Sequence, residues 1–477
     1  MKRDGTRDFH EARWDEPILM ELGEPGQRAL LLEEIEPQVA QAAGAPDDLV
    51  PQGYLRREAP ELPELGQMQL LRHYLRLSQE TIGADLNIDI GLGTCTMKYN
   101  PKVHESFVRD PRFSELHPYQ DPSTTQGILQ VLYETEQYLK AISGMDRFSL
   151  NPAGGSQGIF SNVAIIRAYH EARGEGAQRD EIITTILSHP GNAGTAAALG
   201  YKVITLYPDE SGIPDLNALK AAVSPRTAAL LITNPEDTGI YNEKIREFVD
   251  IVHAAGGLCV YDQANLNGLM GITRARDAGF DLCQFNLHKT FSSPHGSQGP
   301  GAGAQGCTEE LAQFLPLPTV EFDGTQYYLD YNRPHSIGKL RKFYGVPAVV
   351  LRAYAYIRSL GADGLKQVSE LAILNNNYLL KKLASVRGLS MPMAEGKPRL
   401  EQARLSWEKL CQETSVTTDD IDRRIVDYGF QSYFASHHPR IIPSPPRPAR
   451  PIPKRISKNT PRPSSPFPRR HTPPPRW

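Results

Sequence analysis

Lys289 and Asp262 are the residues of this chain whose types and spacing point most directly to chemistry. Lys289 follows an apolar, strand-like run at 281–287, and Asp262 ends a second such run at 257–261. An amine at one strand end and a carboxylate at another, 27 positions apart, are what a pyridoxal phosphate enzyme needs. The lysine holds the cofactor aldehyde as a Schiff base, and the carboxylate keeps the pyridine nitrogen protonated. The alternative interpretation of Lys289 is a solvated surface lysine.

A glycine-rich segment, NPAGGSQG at 151–158, precedes a helical run at 159–168. Glycines allow a tight turn, and the backbone N–H groups of Gly155, Ser156 and Gln157 would then face an anion from a helix N-terminus. We therefore predict a phosphate-binding site at these three residues. A glycine-rich helix start is often only a turn, so the prediction depends on Asp262 and Lys289 following it in the expected chain order.

Two neighbours of these residues each have two interpretations. His288 either contacts the phosphate or simply ends a strand. Ala264, two residues after Asp262, either packs its methyl group on one face of the ring or is a small residue at a tight strand exit.

A rival motif is the GxGxxG pattern GAGAQG at 301–306, which could indicate dinucleotide binding. The segment before it is a polar loop of Ser, Pro and Gly and not a buried strand. The context therefore argues against a dinucleotide site.

Strand-like and helical patterns alternate from about 125 to 310, which predicts an α/β fold with a mostly parallel sheet flanked by helices. In such sheets, ligands bind outside the carboxyl ends of the strands, where Asp262 and Lys289 both lie. The predicted strands are 181–187, 202–206, 228–233, 257–261 and 281–287. The predicted helices are 66–78, 128–139, 159–168, 245–255, 346–360 and 365–383.

Four regions are predicted along the chain: an N-terminal arm (1–90), a large α/β domain that binds the cofactor (91–335), a smaller and incomplete C-terminal domain (336–438), and a Pro/Arg-rich tail (439–477). Fourteen of the 39 tail residues are Pro, which favours an extended or disordered segment. The tail holds ten of the 52 Lys and Arg residues and no Asp or Glu, so 42 basic residues face 55 acidic ones before it. This acidic balance argues against nucleic-acid binding.

The cysteines indicate a reducing, cytoplasmic setting, because none has the CxxC spacing of a metal or redox site and no metal site is predicted. No apolar stretch is long enough for a membrane span, and the first residues lack the apolar core of a signal peptide. The five cysteines are Cys95, Cys259, Cys283, Cys307 and Cys411.

Several strings closely resemble the glycine dehydrogenase (decarboxylating) family, the P-protein of the glycine cleavage system, and in particular subunit 2 of its two-subunit form. The resemblance covers about residues 10–435. The strings are TCTMKYNPK at 94–102, LHPY at 116–119, IRAYHEARGEG at 166–176, YDQANLN at 261–267 and NLHKTFSSPHG at 286–296.

The resemblance implies a type I fold of pyridoxal phosphate-dependent transferases and a partner, glycine dehydrogenase subunit 1. It further implies that glycine loses its carboxylate as CO2 and that the aminomethyl group passes to the lipoyl group of the H-protein. It also places Thr290 at the cofactor, and His117 and Asn234 at the substrate.

Departures from the family pattern fall near the expected cofactor and substrate. Gln157 stands where the family has a His that stacks on the ring, SHPGN at 188–192 replaces another family segment, and Glu236 stands where an Asn is expected. Beyond about residue 443 the resemblance stops, which a shifted reading frame would explain. Two alternatives therefore stay open: a diverged pyridoxal phosphate enzyme acting on another amino acid, and a non-catalytic structural or regulatory subunit.

Overall fold

The computed structural model describes residues 14–80, 101–209, 211–293, 301–393, 396–402 and 404–428. All of them belong to one unit of the chain, Met1–His437. The predicted tail at 439–477 and the string at 94–100, with Cys95, lie outside the described residues. The four-region division of the chain stays a prediction.

Two packed layers of helices enclose a central sheet. The α-helices are α1 (Leu19–Leu22), α2 (Pro37–Ala43), α3 (Gln67–Glu80), α4 (Lys102–Arg109), α5 (Pro111–Ser114), α6 (Gln126–Ser143), α7 (Gly155–Ala172), α8 (Pro190–Ala198), α9 (Leu216–Ala222), α10 (Ile245–Ala254), α11 (Pro347–Leu383), α12 (Glu408–Glu413) and α13 (Thr418–Asp427). Short 3-10 turns lie at Pro46–Asp48, Gln52–Tyr54, Pro122–Thr124 and Glu309–Phe314.

The sheet has seven strands in the order β1-β7-β6-β5-β4-β2-β3. Strands β2 to β6 are parallel, and β7 runs antiparallel to both β1 and β6. The predicted mostly parallel α/β sheet is therefore confirmed. A separate hairpin pairs β8 with β9. The strands are β1 (Arg147–Ser149), β2 (Glu181–Thr185), β3 (Lys202–Leu206), β4 (Thr227–Ile232), β5 (Leu258–Gln263), β6 (Leu282–Asn286), β7 (Gly303–Cys307), β8 (Thr319–Phe322) and β9 (Tyr327–Asp330).

Apolar side chains from both faces of the sheet form the core. Every residue of β4, β5 and β6 is buried, as expected for parallel strands covered on two sides. One face packs against α6, α10 and α11, and the other packs against α7 and the turn at Glu309–Phe314. This packing holds the carboxyl ends of β2, β4, β5 and β6 along one edge of the sheet.

The GxGxxG pattern lies in β7 and the two residues before it. A Cβ atom added to Gly306 would lie 2.5 Å from Phe148 Cζ, and one added to Gly303 would lie 2.8 Å from the carbonyl oxygen of Gly154. These glycines therefore allow close packing within the sheet. The pattern does not form a turn from a strand into a helix, which agrees with its rejection as a dinucleotide site.

The C-terminal part of the described chain is mainly helical. The two predicted helices at 346–360 and 365–383 appear as α11, which bends at Gly361 with a φ of 63°. After α11, the segment 396–402 crosses to the loops that follow β4 and β5. Among the described residues, no helix has the length and apolar character needed to cross a membrane.

Candidate active site

Lys289 lies three residues beyond the end of β6 and is half-buried. Its backbone N–H donates to the carbonyl oxygen of Asn286 at 3.0 Å, so the chain turns tightly as it leaves the strand. The turn holds the lysine at the carboxyl edge of the sheet. An amine in this position can form a covalent bond to an aldehyde bound above the sheet.

Asp262 lies in β5, directly beside Gln284 of β6. Its side chain is 3% exposed. Its Oδ1 accepts a hydrogen bond from Gln284 Nε2 at 2.5 Å and another from the backbone N–H of Ala264 at 3.1 Å. Both of these hydrogen bonds, the ones that the described part of the chain makes to this carboxylate, go to Oδ1. Oδ2 is therefore the oxygen that can face a protonated ring nitrogen.

The start of α7 lies against the end of β6. Gly155, Ser156 and Gln157 are the first three residues of the helix. A Cβ atom on Gly155 would lie 2.8 Å from Asn286 Nδ2, so only glycine allows this approach. The first N–H groups of a helix have no intrahelical partner, and the helix dipole favours an anion there. The predicted phosphate site thus lies at the same edge of the sheet as Lys289.

His288 lies between the start of α7 and the start of β7. Its ring is buried, and Nδ1 is 3.1 Å from the carbonyl oxygen of Ala302 and 3.2 Å from the backbone nitrogen of the same residue. A Cβ atom on Gly154 would lie 3.8 Å from His288 Cε1. The ring is therefore adjacent to the predicted phosphate site, and both interpretations of His288 stay open.

Thr290 joins the two loops that leave β5 and β6, and Ala264 makes a hydrogen bond within the first of them. Thr290 is buried, and its Oγ1 accepts a hydrogen bond from the backbone N–H of Leu266 at 2.8 Å. Ala264 is half-buried and donates its backbone N–H to Asp262. Both residues thus help to fix the position of Asp262 relative to Lys289. Their contact with a cofactor stays a prediction.

The amide of Gln157 is held by backbone on two sides. Its Oε1 accepts from the backbone N–H of Ala153 at 2.7 Å, and its Nε2 donates to the carbonyl oxygen of Leu340 at 3.0 Å. These bonds fasten the glycine-rich loop to the segment that precedes α11. Whether the amide also covers the ring stays a prediction.

The two predicted substrate residues lie in different surroundings. Asn234 is 1% exposed, and its side-chain amide bonds to the backbone of Asn242, with the Asn242 N–H 2.8 Å from Oδ1. His117 is exposed, and its ring lies 6.4 Å from that of Phe343. Asn234 thus shapes the loop after β4, at the edge that carries Asp262. Both substrate roles stay predictions.

Glu236 and two hydroxyl groups form a buried cluster at the carboxyl ends of β2 and β4. Thr185 donates its hydroxyl to Glu236 Oε1, and Ser188 Oγ lies 3.4 Å from the same oxygen. Burial raises the pKa of Glu236 to about 8. The sequence showed Glu236 as a departure from the family, but its contacts with Thr185 and Ser188 could not be seen there, because they join two separate loops.

The segment after α11 covers the loops beyond β4 and β5. Glu401 accepts hydrogen bonds from the side-chain amides of Asn265 and Asn267, at 3.4 Å for Asn267. Arg404 Nη2 bonds to Asp237 Oδ2 at 2.5 Å. The loop that begins at Asp262 is therefore held from the C-terminal side of the chain.

The described residues offer the chemical groups that would hold pyridoxal phosphate. A half-buried amine, a buried carboxylate with one oxygen available and a helix start with a glycine-lined approach meet at one sheet edge. These three groups match the aldehyde, the ring nitrogen and the phosphate of that cofactor.

Comparison with known proteins gives the family. Residues 156–315 match the family model described as Aminotransferase class-V. The chain is 46% identical over 430 residues to "Probable glycine dehydrogenase (decarboxylating) subunit 2" of Pyrococcus furiosus, a match that covers 89% of this chain and 83% of the relative. A protein of the same name from Caldanaerobacter subterraneus subsp. tengcongensis is 44% identical over 414 residues, covering 87% of this chain and 83% of the relative.

The chain belongs to the glycine dehydrogenase (decarboxylating) subunit 2 family. This membership confirms the family that the sequence strings indicated. A crystal structure of glycine decarboxylase (P-protein) of the glycine cleavage system, in inhibitor-bound form, superposes with a TM-score of 0.68 at 19% identity, covering 84% of this chain and 91% of the other. Lactobacillus brevis glutamate decarboxylase superposes with a TM-score of 0.58 at 14% identity, covering 81% and 87%. These likenesses confirm that this chain has the type I fold of pyridoxal phosphate enzymes.

Proposed function

We propose that this protein is the cofactor-bearing subunit 2 of a glycine decarboxylase. It decarboxylates glycine and transfers the aminomethyl group to the lipoyl group of the H-protein. The observation that carries the proposal is that Lys289, Asp262 and the start of α7 lie together at the carboxyl edge of the sheet, in a chain 46% identical to a named glycine dehydrogenase subunit.

The residues of the site divide the work. Lys289 would hold the cofactor aldehyde through its amine. Asp262 Oδ2 would accept a hydrogen bond from the ring nitrogen and keep that nitrogen protonated, while the bond from Gln284 fixes the orientation of the carboxylate. The N–H groups of Gly155, Ser156 and Gln157 would bind the phosphate.

Pyridoxal phosphate supplies an electron sink for the pair that remains when the bond from the glycine Cα to its carboxylate breaks and CO2 leaves. The chain contributes orientation. The hydrogen bond from the Leu266 N–H to Thr290 Oγ1 joins the loops that follow β5 and β6, and so fixes Asp262 relative to Lys289. Burial of Asp262 would keep water from weakening its interaction with a protonated ring nitrogen.

The assembly and its setting are part of the proposal. The relatives are named as a subunit, which supports a partner, subunit 1, together with a lipoylated H-protein that takes up the aminomethyl group. We further propose a cytoplasmic hetero-oligomer. The cysteines support this setting because none of them has CxxC spacing. The four described cysteines are all free thiols. Cys259, Cys283 and Cys307 are buried, and Cys411 is half-buried.

Bicarbonate exchange tests the proposed reaction. We expect the purified chain, mixed with subunit 1, lipoylated H-protein and labelled bicarbonate, to move label into the carboxyl group of glycine. Lys289→Ala should abolish the exchange, whereas Lys366→Ala, on the exposed side of α11, should not change it. Borohydride reduction followed by peptide mapping should find the cofactor on Lys289. Finding it on another residue, or on none, would refute the assignment.

A diverged enzyme acting on another amino acid is the second candidate, and Gln157 favours it. The resemblance expects a His that stacks on the ring at this position, and here an amide is fixed by the backbone of Ala153 and Leu340. Trapping of the cofactor on Lys289 without any glycine exchange, even with subunit 1 present, would select this candidate. A protein that assembles with subunit 1 but holds no cofactor would instead be a structural subunit.

A further inference from the structure

Glu236 has an unusual environment for a carboxyl group. It lies in the loop after β4 and is 4% exposed. Its Oε1 accepts from the Thr185 hydroxyl and faces Ser188, while its Oε2 has no hydrogen-bond partner among the described residues. A buried carboxylate with one oxygen unpartnered is costly, and a neutral carboxyl group in the same place costs much less. The geometry therefore favours the protonated form.

The hydroxyl groups around Glu236 connect it to both sides of the predicted cofactor site. Ser188 Oγ lies 2.6 Å from Thr185 Oγ1 and 3.3 Å from Thr233 Oγ1. Thr233 follows Ile232, which pairs with Tyr261 of β5, so Thr233 stands beside Asp262 at the sheet edge.

The same cluster also reaches the phosphate side. Ser188 lies two residues before α8, and a Cβ atom on Gly191 in the first turn of that helix would lie 3.4 Å from Ser156 Oγ. The first turn of α8 therefore lies against the first turn of α7. A shift of the loop between β2 and α8 would move Gly191 away from Ser156. The same shift would break the contact between Ser188 and Thr233, which lies next to Asp262.

Two charged groups act on Glu236 from the segments packed around it. Asp237, the next residue in the same loop, raises its pKa, and Arg404, from the segment after α11, lowers it. Burial is the largest influence and raises the pKa, against the hydrogen bonds from Thr185 and Ser188, to about 8. Glu236 therefore carries a proton at neutral pH and loses it in mildly alkaline solution.

We propose that Glu236 is a positioning residue of the cofactor site, a neutral carboxyl group that fastens the loop between β2 and α8 to the loop between β4 and α10. It acts through Ser188 and Thr233 and holds the surroundings of Ser156 and Asp262 in place. Ionisation would bury a charged oxygen without a partner, so the two loops separate to admit water and the cofactor is held less tightly. This inference rests on the proposed function, because it concerns the binding of pyridoxal phosphate.

The pH dependence of cofactor binding tests the proposal. The dissociation constant of pyridoxal phosphate is measured between about pH 6.5 and 9.5 for the wild type and for Glu236→Gln, whose amide keeps the shape and the acceptor but cannot ionise. In the wild type we expect the constant to rise about tenfold by about pH 9 relative to the variant. Any pH effect that does not involve Glu236 is common to both proteins and cancels in this ratio. Glu236→Leu, which removes the acceptor, should bind weakly at every pH.

A matched control is Glu243→Gln, the same substitution at an exposed position of the same loop, which should follow the wild-type profile. Hydrogen exchange provides a second measurement that needs no cofactor. After correction for the intrinsic rise of exchange with pH, the protection of the backbone amides at 186–189 and 191–192 should fall above about pH 8 in the wild type and not in Glu236→Gln. Identical pH profiles of the wild type and Glu236→Gln would refute the positioning role while the proposed function stands. Failure of every protein to bind the cofactor, with borohydride trapping nothing on Lys289, would refute the proposed function and this role with it.

Discussion

Arg147 gives a prediction that separates the scaffold of the site from its chemistry. It begins β1, the strand that leads into the glycine-rich loop, and its Nε bonds to Glu136 Oε1 on α6 at 2.8 Å. Its Nη2 bonds to Glu321 Oε1 on β8 at 2.6 Å. Glu136 is 4% exposed, and besides Arg147 its Oε1 accepts the backbone N–H of Phe148 at 3.0 Å.

Replacing Arg147 with Met should remove the countercharge and leave a buried carboxyl group behind. Burial already raises the pKa of Glu136, against the effect of Arg147. Burial also lowers the pKa of Arg147, but Glu136 and Glu321 more than reverse this and hold it above its ordinary value. Breaking a buried pair by removing one partner costs about 3–5 kcal/mol, so we expect Arg147→Met to lower the free energy of unfolding by that amount.

The loss should depend on pH. A carboxyl group whose pKa is raised in the folded protein contributes stability below its ordinary pKa and loses that contribution as pH rises through the raised value. The Met variant raises the pKa of Glu136 further, so its deficit should be smaller at about pH 5 than at about pH 8. Glu321 keeps Arg333, whose Nη2 lies 2.5 Å from Oε1, and should contribute little to the deficit.

Urea unfolding of the cofactor-free protein measures these effects. The double variant Arg147→Met, Glu136→Leu removes both charges and should recover most of the stability, since an apolar pair of similar volume can replace a buried ion pair. A deficit below about 1 kcal/mol for the single variant, or a double variant no more stable than the single one, would refute the reasoning.

Three further predictions follow from named contacts. Gly345 has a φ of 103°, and a Cβ atom there would lie 2.4 Å from the Leu150 carbonyl oxygen, so Gly345→Ala should lose about 1–3 kcal/mol from backbone strain alone, measured by urea unfolding. Asp262→Asn should still allow borohydride trapping of the cofactor but lower glycine exchange by at least about a hundredfold, and unchanged exchange would contradict the role given to this carboxylate. The hydrogen bond that His253 Nε2 donates to Asp281 raises the pKa of His253, so its stabilisation is complete below about pH 6.5 and disappears as pH rises through the folded pKa. The Tm difference between the wild type and His253→Gln should therefore shrink from about pH 5.5 to 8.5.

The parallel strands could be predicted because their burial on both faces demands apolar sequence. Strands β4 to β6 are continuous buried runs, and the end of each run marks the edge where Asp262 and Lys289 lie. Strand β7 could not be found in this way, because its residues GAQGC include two glycines and no β-branched side chain. Strand β1 has three residues, too few to show a period.

The contacts around the site depend on residues far apart in the chain. Glu236 meets Thr185 across 51 positions, and Gln157 meets the carbonyl of Leu340 across 183. Residue type and spacing identify a lysine and a carboxylate at strand ends. They carry no information on which loops pack together above the sheet, because that packing is set by the crossover connections.

Glu401 makes the C-terminal part of the chain a mechanical support for the ring-binding acid. Its carboxylate accepts hydrogen bonds from Asn265 and Asn267, which lie three and five residues beyond Asp262. These bonds connect the end of β5 to the segment that follows α11. A proteolytic cut in the connection between α11 and Glu401 would remove the covalent link of this segment to α11 and so weaken the support, while every strand stays intact. We expect the cleaved protein to retain its sheet and Lys289 but to release the cofactor faster than the intact chain does.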